Sequence, residues 1–185
     1  MKLAKSLDRL GTETAFSVLA EAKKLEAKGK PMIHLGLGQP DFKTPKHIVD
    51  AAKKALDDGH HGYVLSNGIL ECRQAVTRKI KKLYNQDIDP ERIIIMPGGK
   101  PTMSYAIQCF GEPGVEIVHP TPAFPIYESM INFTGAKPVP YDLTEDKDLK
   151  FNPEKILSLI TEKTKLLILI NPNNPTGSFV DKSDI

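Results

Sequence analysis

The strongest constraint on the fold is the run Leu166-Leu-Ile-Leu-Ile-Asn-Pro-Asn-Asn-Pro-Thr-Gly177. Five successive apolar residues, 166–170, fit a buried strand. The strand stops at once in a loop of Asn, Pro and Gly, residues that favour rigid turns. Open α/β sheets bind ligands outside the carboxyl ends of their strands. This loop is therefore the first candidate for part of a binding site.

The rest of the chain agrees with an α/β sheet. Short apolar strands are expected at 32–35, 92–96, 115–118, 138–141 and 166–170. Between them fall helical rhythms. One begins with Thr14 as a cap and carries Ala15, Val18, Leu19, Ala22 and Leu25. A second has Thr44 as cap and Pro45 at its first position. A third opens at Asn67 and carries Ile69, Cys72, Val76, Ile80 and Leu83. Further helices are expected from Pro101 to about Phe110, from Phe124 to about Phe133, and from Pro153, capped by Asn152, to about Ile160. Asp89-Pro90 breaks the chain. Strands alternating with helices argue for βαβ units and a mainly parallel sheet covered on both faces.

Charge and cysteine content narrow the function. A net charge of +2 in 185 residues gives no basis for a nucleic-acid or anionic-membrane partner. The basic run Arg78-Lys-Ile-Lys-Lys82 reads as a solvated helix face. Cys72 and Cys109 share no redox or metal spacing and are expected as core thiols in a reducing compartment. The five histidines show no metal-ligand spacing, so no metal site is expected. No signal peptide or apolar run of spanning length is visible, and a cytoplasmic location is expected.

Three loops carry candidate chemistry. Pro97-Gly-Gly-Lys-Pro101 lies between an expected strand and a helix, where backbone N–H groups and the helix dipole can hold an anion. It is no Walker A loop, because Ile94 stands where the first Gly belongs, and G-x-G-x-x-G is absent. A tight structural turn explains it equally well. Phe124, in Thr121-Pro-Ala-Phe-Pro-Ile-Tyr127, could stack on a planar ring or simply begin a helix in the core. Asn171, Asn173 and Asn174 could donate to a bound oxygen or serve as turn residues. Successive parallel strands end on one side of a sheet, so one aromatic phosphate could touch all three loops.

Taken in order, Gly38-Gln-Pro-Asp-Phe42, Tyr63, Gly68-Ile-Leu-Glu-Cys-Arg73, Gly98-Gly-Lys100, Phe124 and Asn173-Asn-Pro-Thr-Gly177 resemble the class I/II aminotransferases. These are fold-type I enzymes dependent on pyridoxal 5′-phosphate, and the aspartate aminotransferase branch is the nearest likeness. The resemblance implies a three-layer αβα fold with an N-terminal helical arm. It implies an arm and small-domain segment over 1–45 and the first part of the cofactor-binding large domain over 46–185. It implies that Gly98, Gly99 and Lys100 seat the cofactor phosphate, Phe124 stacks on its ring, and Asn174 donates to its phenolic oxygen. Tyr63 would reach the phosphate bound by the neighbouring subunit of a homodimer. Gly38, with Phe124 and Asn174, would border the substrate. Glu71 and Arg73 look structural. Cys72 replaces a common Leu, and Phe124 stands where Trp or Tyr is frequent.

The family's Schiff-base lysine, its pyridinium-pairing Asp and its carboxylate-clamping Arg are expected beyond Ile185, so the catalytic residues are not assignable. The expectation is the N-terminal half of an enzyme moving an amino group between an amino acid, aspartate-like or aromatic, and a 2-oxo acid. The 185 residues alone are expected to be inactive and to associate through an unpaired sheet edge. The alternatives on the same fold are a C–S lyase, a cyclopropane-carboxylate synthase and a non-catalytic module sensing the cofactor.

Overall fold

The computed structural model describes residues 2–11, 14–144, 148–180 and 182. The chain divides into two compact units, Met1–Glu21 with Gly98–Ile185, and Ala22–Pro97.

In chain order the helices and strands are α1 (Thr14–Glu26), α2 (Lys46–Asp57), α3 (Leu70–Tyr84), α4 (Gly99–Phe110), β1 (Glu116–Thr121), α5 (Ile126–Thr134), β2 (Lys137–Asp142), α6 (Pro153–Leu159) and β3 (Thr164–Leu167). The three strands form a parallel sheet in the order β2-β1-β3. β1 is central and its inner residues are fully covered, which explains its run of Ile, Val, His and Pro without polar alternation. β2 and β3 each keep one edge without a strand partner among the described residues.

Two apolar clusters cover the two faces of β1. Ile107 of α4, Val115, Ile117, Met130 and Ile131 of α5, and Ala136 form one. Val118, Tyr141, Leu143 and Ile156 of α6 form the other. The unit is thus a helix–sheet–helix sandwich, as the alternation of elements predicts. Tyr141 is buried, and its hydroxyl donates to the Ile168 carbonyl at 2.9 Å, tying β2 to the end of β3.

The unit Ala22–Pro97 is built around Arg73, which is 2% exposed. Its guanidinium donates to the carbonyls of Gly68 at 3.2 Å and Pro90 at 3.0 Å and reaches Glu91 Oε1 at 2.7 Å. The structural role expected of Arg73 is met. Glu71 is exposed. Asp89 caps the turn Pro90–Arg92 by accepting from the Glu91 N–H at 2.9 Å, the break expected at Asp-Pro.

Several expectations need correction. Residues 32–35 and 92–96 form no strand. A strand exists only where a neighbour completes its ladder, and the N–H of Ile95 bonds instead to the Asn67 carbonyl at 3.1 Å. Asn67 therefore does not open α3, which starts at Leu70. The central strand runs to Thr121, through residues read as loop, because β2 supplies a partner along its full length. β3 is shorter than the apolar run, ending at Leu167. Pro45, not Thr44, occupies the cap position of α2, and it has no side-chain capping bond. α5 starts at Ile126 rather than Phe124. Cys109 is exposed and Cys72 only half-buried, so neither is a core thiol. The expected Thr14 cap and Ala15 involve side chains outside the described residues. The Asn152 cap of α6 holds, with Oδ1 accepting from the Lys155 N–H at 3.0 Å. The basic run on α3 is solvated, as read.

Candidate functional site

α4 begins at Gly99, two residues before the start expected from Pro101, so Lys100 lies within its first turn. Gly98 is the cap residue with φ 101°, a left-handed backbone that disfavours a side chain, and no atom lies within 4 Å of where a Cβ would stand. No side chain caps this helix end. The first N–H groups of any α-helix have no preceding turn to bond to, and Pro101 has no N–H to offer. The dipole of the 12-residue helix and the Lys100 ammonium make this corner positive.

The Lys100 side chain turns toward the loop after β1. Its Nζ stands 5.6 Å from the centre of the half-buried Phe124 ring and 5.3 Å from that of Phe16 in α1. Phe124 lies three residues beyond the end of β1, between Pro122 and Pro125. The first turn of α4 and the loop after β1 therefore meet through this side chain.

The loop after β3 joins them through Asn173. Its Nδ2 donates to Thr176 Oγ1 at 2.8 Å and to the Pro122 carbonyl at 3.4 Å. The parallel pairing of β1 with β3, continued by the Ile168 N–H bonding to the Val118 carbonyl, delivers both loops to one end of the sheet. Asn173 is buried while Asn174 beside it is exposed. Of the expected residues, Lys100 at the start of α4 thus reaches Phe124, and the loop that carries Asn174 is bonded to the loop that carries Phe124. Tyr63 and Gly38 belong to the other unit, where both are exposed and nothing lies within 4 Å of a Cβ built on Gly38.

Reading the sequence missed the division of labour between the two asparagines. Identical neighbours in a loop give no sign of which one turns inward. It also missed His119, which is 3% exposed in β1. Burial holds its pKa below the ordinary value, partly countered by the Pro120 carbonyl and Glu128. Its Nδ1 bonds that carbonyl at 3.1 Å, and Nε2 has no hydrogen-bond partner among the described residues. Its place among the apolar strand residues gave no signal beyond periodicity.

A cavity of about 550 Å³ adjoins this rim, lined by residues 8–11, Lys100 and one side of α5. Arg9, one of its lining residues, donates to the carbonyls of Asn132 and Phe133, both at 2.9 Å, in the last turn of α5. The Asn132 carbonyl also accepts the N–H of the cap residue Gly135 at 3.1 Å, and a cation at this helix end meets the negative end of the dipole. No helix among the described residues is long and apolar enough to cross a membrane.

Known proteins resemble this chain in sequence and in fold. Residues 30–185 match the family model described as aminotransferase class I and II. The chain is 36% identical to an aspartate aminotransferase of Bacillus subtilis, covering all of this chain and 47% of that protein. It is 38% identical over 180 residues to a (5-formylfuran-3-yl)methyl phosphate transaminase of Methanocaldococcus jannaschii, with 97% of this chain and 46% of the relative covered. An aspartate aminotransferase from Thermus thermophilus, solved with maleate, superposes with a TM-score of 0.93 at 30% identity, over 100% of this chain and 48% of that one. The chain spans about half the length of the curated relatives it matches. This chain belongs to the class I and II aminotransferases.

Proposed function

We propose that this chain supplies the phosphate and ring seat for pyridoxal 5′-phosphate in an enzyme that moves an amino group between an amino acid and a 2-oxo acid. The observation that carries this reading is that the loop after β1 is met from two sides: Lys100 Nζ of α4 stands 5.6 Å from the Phe124 ring, and Asn173 of the loop after β3 is bonded across to the loop that carries Phe124. An uncapped helix start, an aromatic face and an exposed amide donor are the groups a phosphorylated pyridine demands.

The residues fit the cofactor. Gly98 leaves its backbone open, and the N–H groups of Gly99 and Lys100 point where an anion is favoured. Phe124 offers its ring for stacking, and the exposed Asn174 offers an amide N–H to a ring oxygen. Bound there, the cofactor supplies the electron sink for amino-group transfer. This chain's part is to fix the phosphate, hold the ring flat and keep its oxygen hydrogen-bonded.

The same reading takes Tyr63, whose side chain is fully exposed, as the contact to a phosphate held by a second subunit of a homodimer. It takes Gly38 as the backbone beside the substrate, residues 1–45 as arm and small-domain segment, and the cytoplasm as the location. No lysine here occupies the Schiff-base motif, so proton transfer at the substrate is not assigned to any residue of this chain.

Titration of the chain with pyridoxal 5′-phosphate, followed by its absorbance and by equilibrium dialysis, tests the seat. Binding should be saturable and weakened by inorganic phosphate, and Gly98→Ala and Phe124→Ala should each weaken it. Borohydride reduction should leave no stoichiometric adduct on any one lysine. Binding indifferent to both substitutions, or a single adduct on one lysine, refutes the assignment.

A further inference from the structure

We infer that Asn173 is the positioning residue of this site: its buried amide holds the loop after β3 against the loop after β1, and so sets where Asn174 and Phe124 stand. The inference rests on the proposed cofactor seat for its functional meaning, and on hydrogen bonds alone for its structural part.

Asn173 is 6% exposed. Its backbone closes a tight loop, with its N–H donating to the Ser178 carbonyl at 2.8 Å and its carbonyl accepting from Gly177 N–H at 2.9 Å. Its side chain works outward from that loop. Nδ2 donates to Pro122 O at 3.4 Å, two residues before Phe124, and to Thr176 Oγ1 at 2.8 Å.

A relay of hydroxyls fixes the direction of these bonds. Ser178 Oγ donates its one proton to the Leu149 carbonyl at 2.8 Å. Thr176 Oγ1, 2.7 Å from Ser178 Oγ, must then donate to it and can only accept from Asn173. Both partners of the amide nitrogen are therefore acceptors, and the amide cannot turn over without setting oxygen against the Pro122 carbonyl. Asn173 Oδ1 is left buried with no hydrogen-bond partner among the described residues. A buried orphan acceptor is costly, and a purely structural turn would shed it. The orientation persists because only the donor end can join the two loops. Asn174, the next residue, has its side chain exposed at the rim and depends on this anchor for its place.

Hydrogen exchange and cofactor binding together test the role, on the chain as it stands. Asn173→Ala should speed exchange about five- to tenfold in peptides from both 171–178 and 121–127, the scale of one lost hydrogen bond. Thr176→Val should affect 171–178 alone, because the bond to Pro122 survives. If Asn173→Ala does not fold, Asn173→Asp keeps the shape while its carboxylate cannot donate. Unchanged exchange in 121–127 for the alanine or aspartate variant overturns the inference.

Pyridoxal 5′-phosphate affinity supplies the second readout. Asn173→Ala should weaken it about tenfold in the wild-type background and less than twofold in an Asn174→Ala background, because residues acting through one another are not additive. Equal losses in both backgrounds overturn the positioning role. If the unmodified chain does not bind pyridoxal 5′-phosphate at all, the cofactor reading fails, and exchange in the two loops decides the structural coupling by itself.

Discussion

Arg73 and Glu91 form an ion pair of 2.7 Å in which the two partners are unequal: the arginine side chain is 2% exposed and the glutamate side chain 68%. An exposed carboxylate gains little from a salt bridge in water. The stabilisation therefore resides in the bonds from Arg73 to the Gly68 and Pro90 carbonyls. Glu91→Gln should cost less than about 1 kcal/mol. Arg73→Met leaves two carbonyls without their donor and should cost roughly 2–6 kcal/mol, at about 1–3 for each. Urea denaturation of the two variants checks the order, and equal costs would contradict it.

His119 predicts an acid-side loss of stability. Burial lowers its folded pKa below the ordinary 6.5. Between those two values the unfolded chain binds a proton that the folded chain does not, so stability rises with pH there. The contribution of neutral His119 is complete above about pH 6.5 and is lost as pH falls through the unfolded value toward the folded one. His119→Leu should flatten the stability curve just below that pH. The carboxylate of Glu116, held below its usual 4.5 by Lys137 and Thr161, acts lower on the scale and should be unaffected. Denaturant midpoints from pH 5 to 8 for both proteins give the comparison.

What could be read from the sequence followed from local chemistry. The Asn152 cap, the break at Asp89-Pro90 and the loops at Gly98, Phe124 and Asn174 depend on residues close in the chain, and all were legible. The strand expected at 92–96 was not realised, because a strand is a property of a pair and Ile95 bonds to Asn67 instead. Proline in residues 119–121 suggested a loop, but these belong to β1 because β2 runs beside it to Thr121. The inward turn of Asn173 depended on the Pro122 carbonyl, 51 residues away in sequence. No local pattern carries that information.

Gly98 should separate backbone strain from binding. Its φ of 101° is unfavourable to any residue with a side chain, although a methyl group would meet no neighbour. Gly98→Ala should therefore destabilise the chain by about 1–2 kcal/mol through strain alone. In the folded protein it should also weaken phosphate binding, by shifting the N–H groups of Gly99 and Lys100. Gly68→Ala serves as a contrast, since a Cβ there would stand 2.8 Å from Ile95. It should destabilise its own unit at least as much, while phosphate affinity of the remaining folded chain stays unchanged. Thermal unfolding alongside phosphate titration distinguishes the two.

Phe124 and Lys100 should prove separable in the same way. At 5.6 Å from the ring centre, the ammonium gains about 0.5–1 kcal/mol from a site open to solvent. Lys100→Met keeps most of the apolar stem and the backbone N–H, so affinity for the phosphate group should fall through loss of charge. Phe124→Leu keeps an apolar side chain but removes the aromatic face. It should leave inorganic phosphate binding unchanged and weaken pyridoxal 5′-phosphate binding, because only the latter carries a ring to stack. Competition between the two ligands in each variant measures the split. Parallel losses of both ligands in Phe124→Leu would mean that the aromatic ring supports the loop rather than the cofactor.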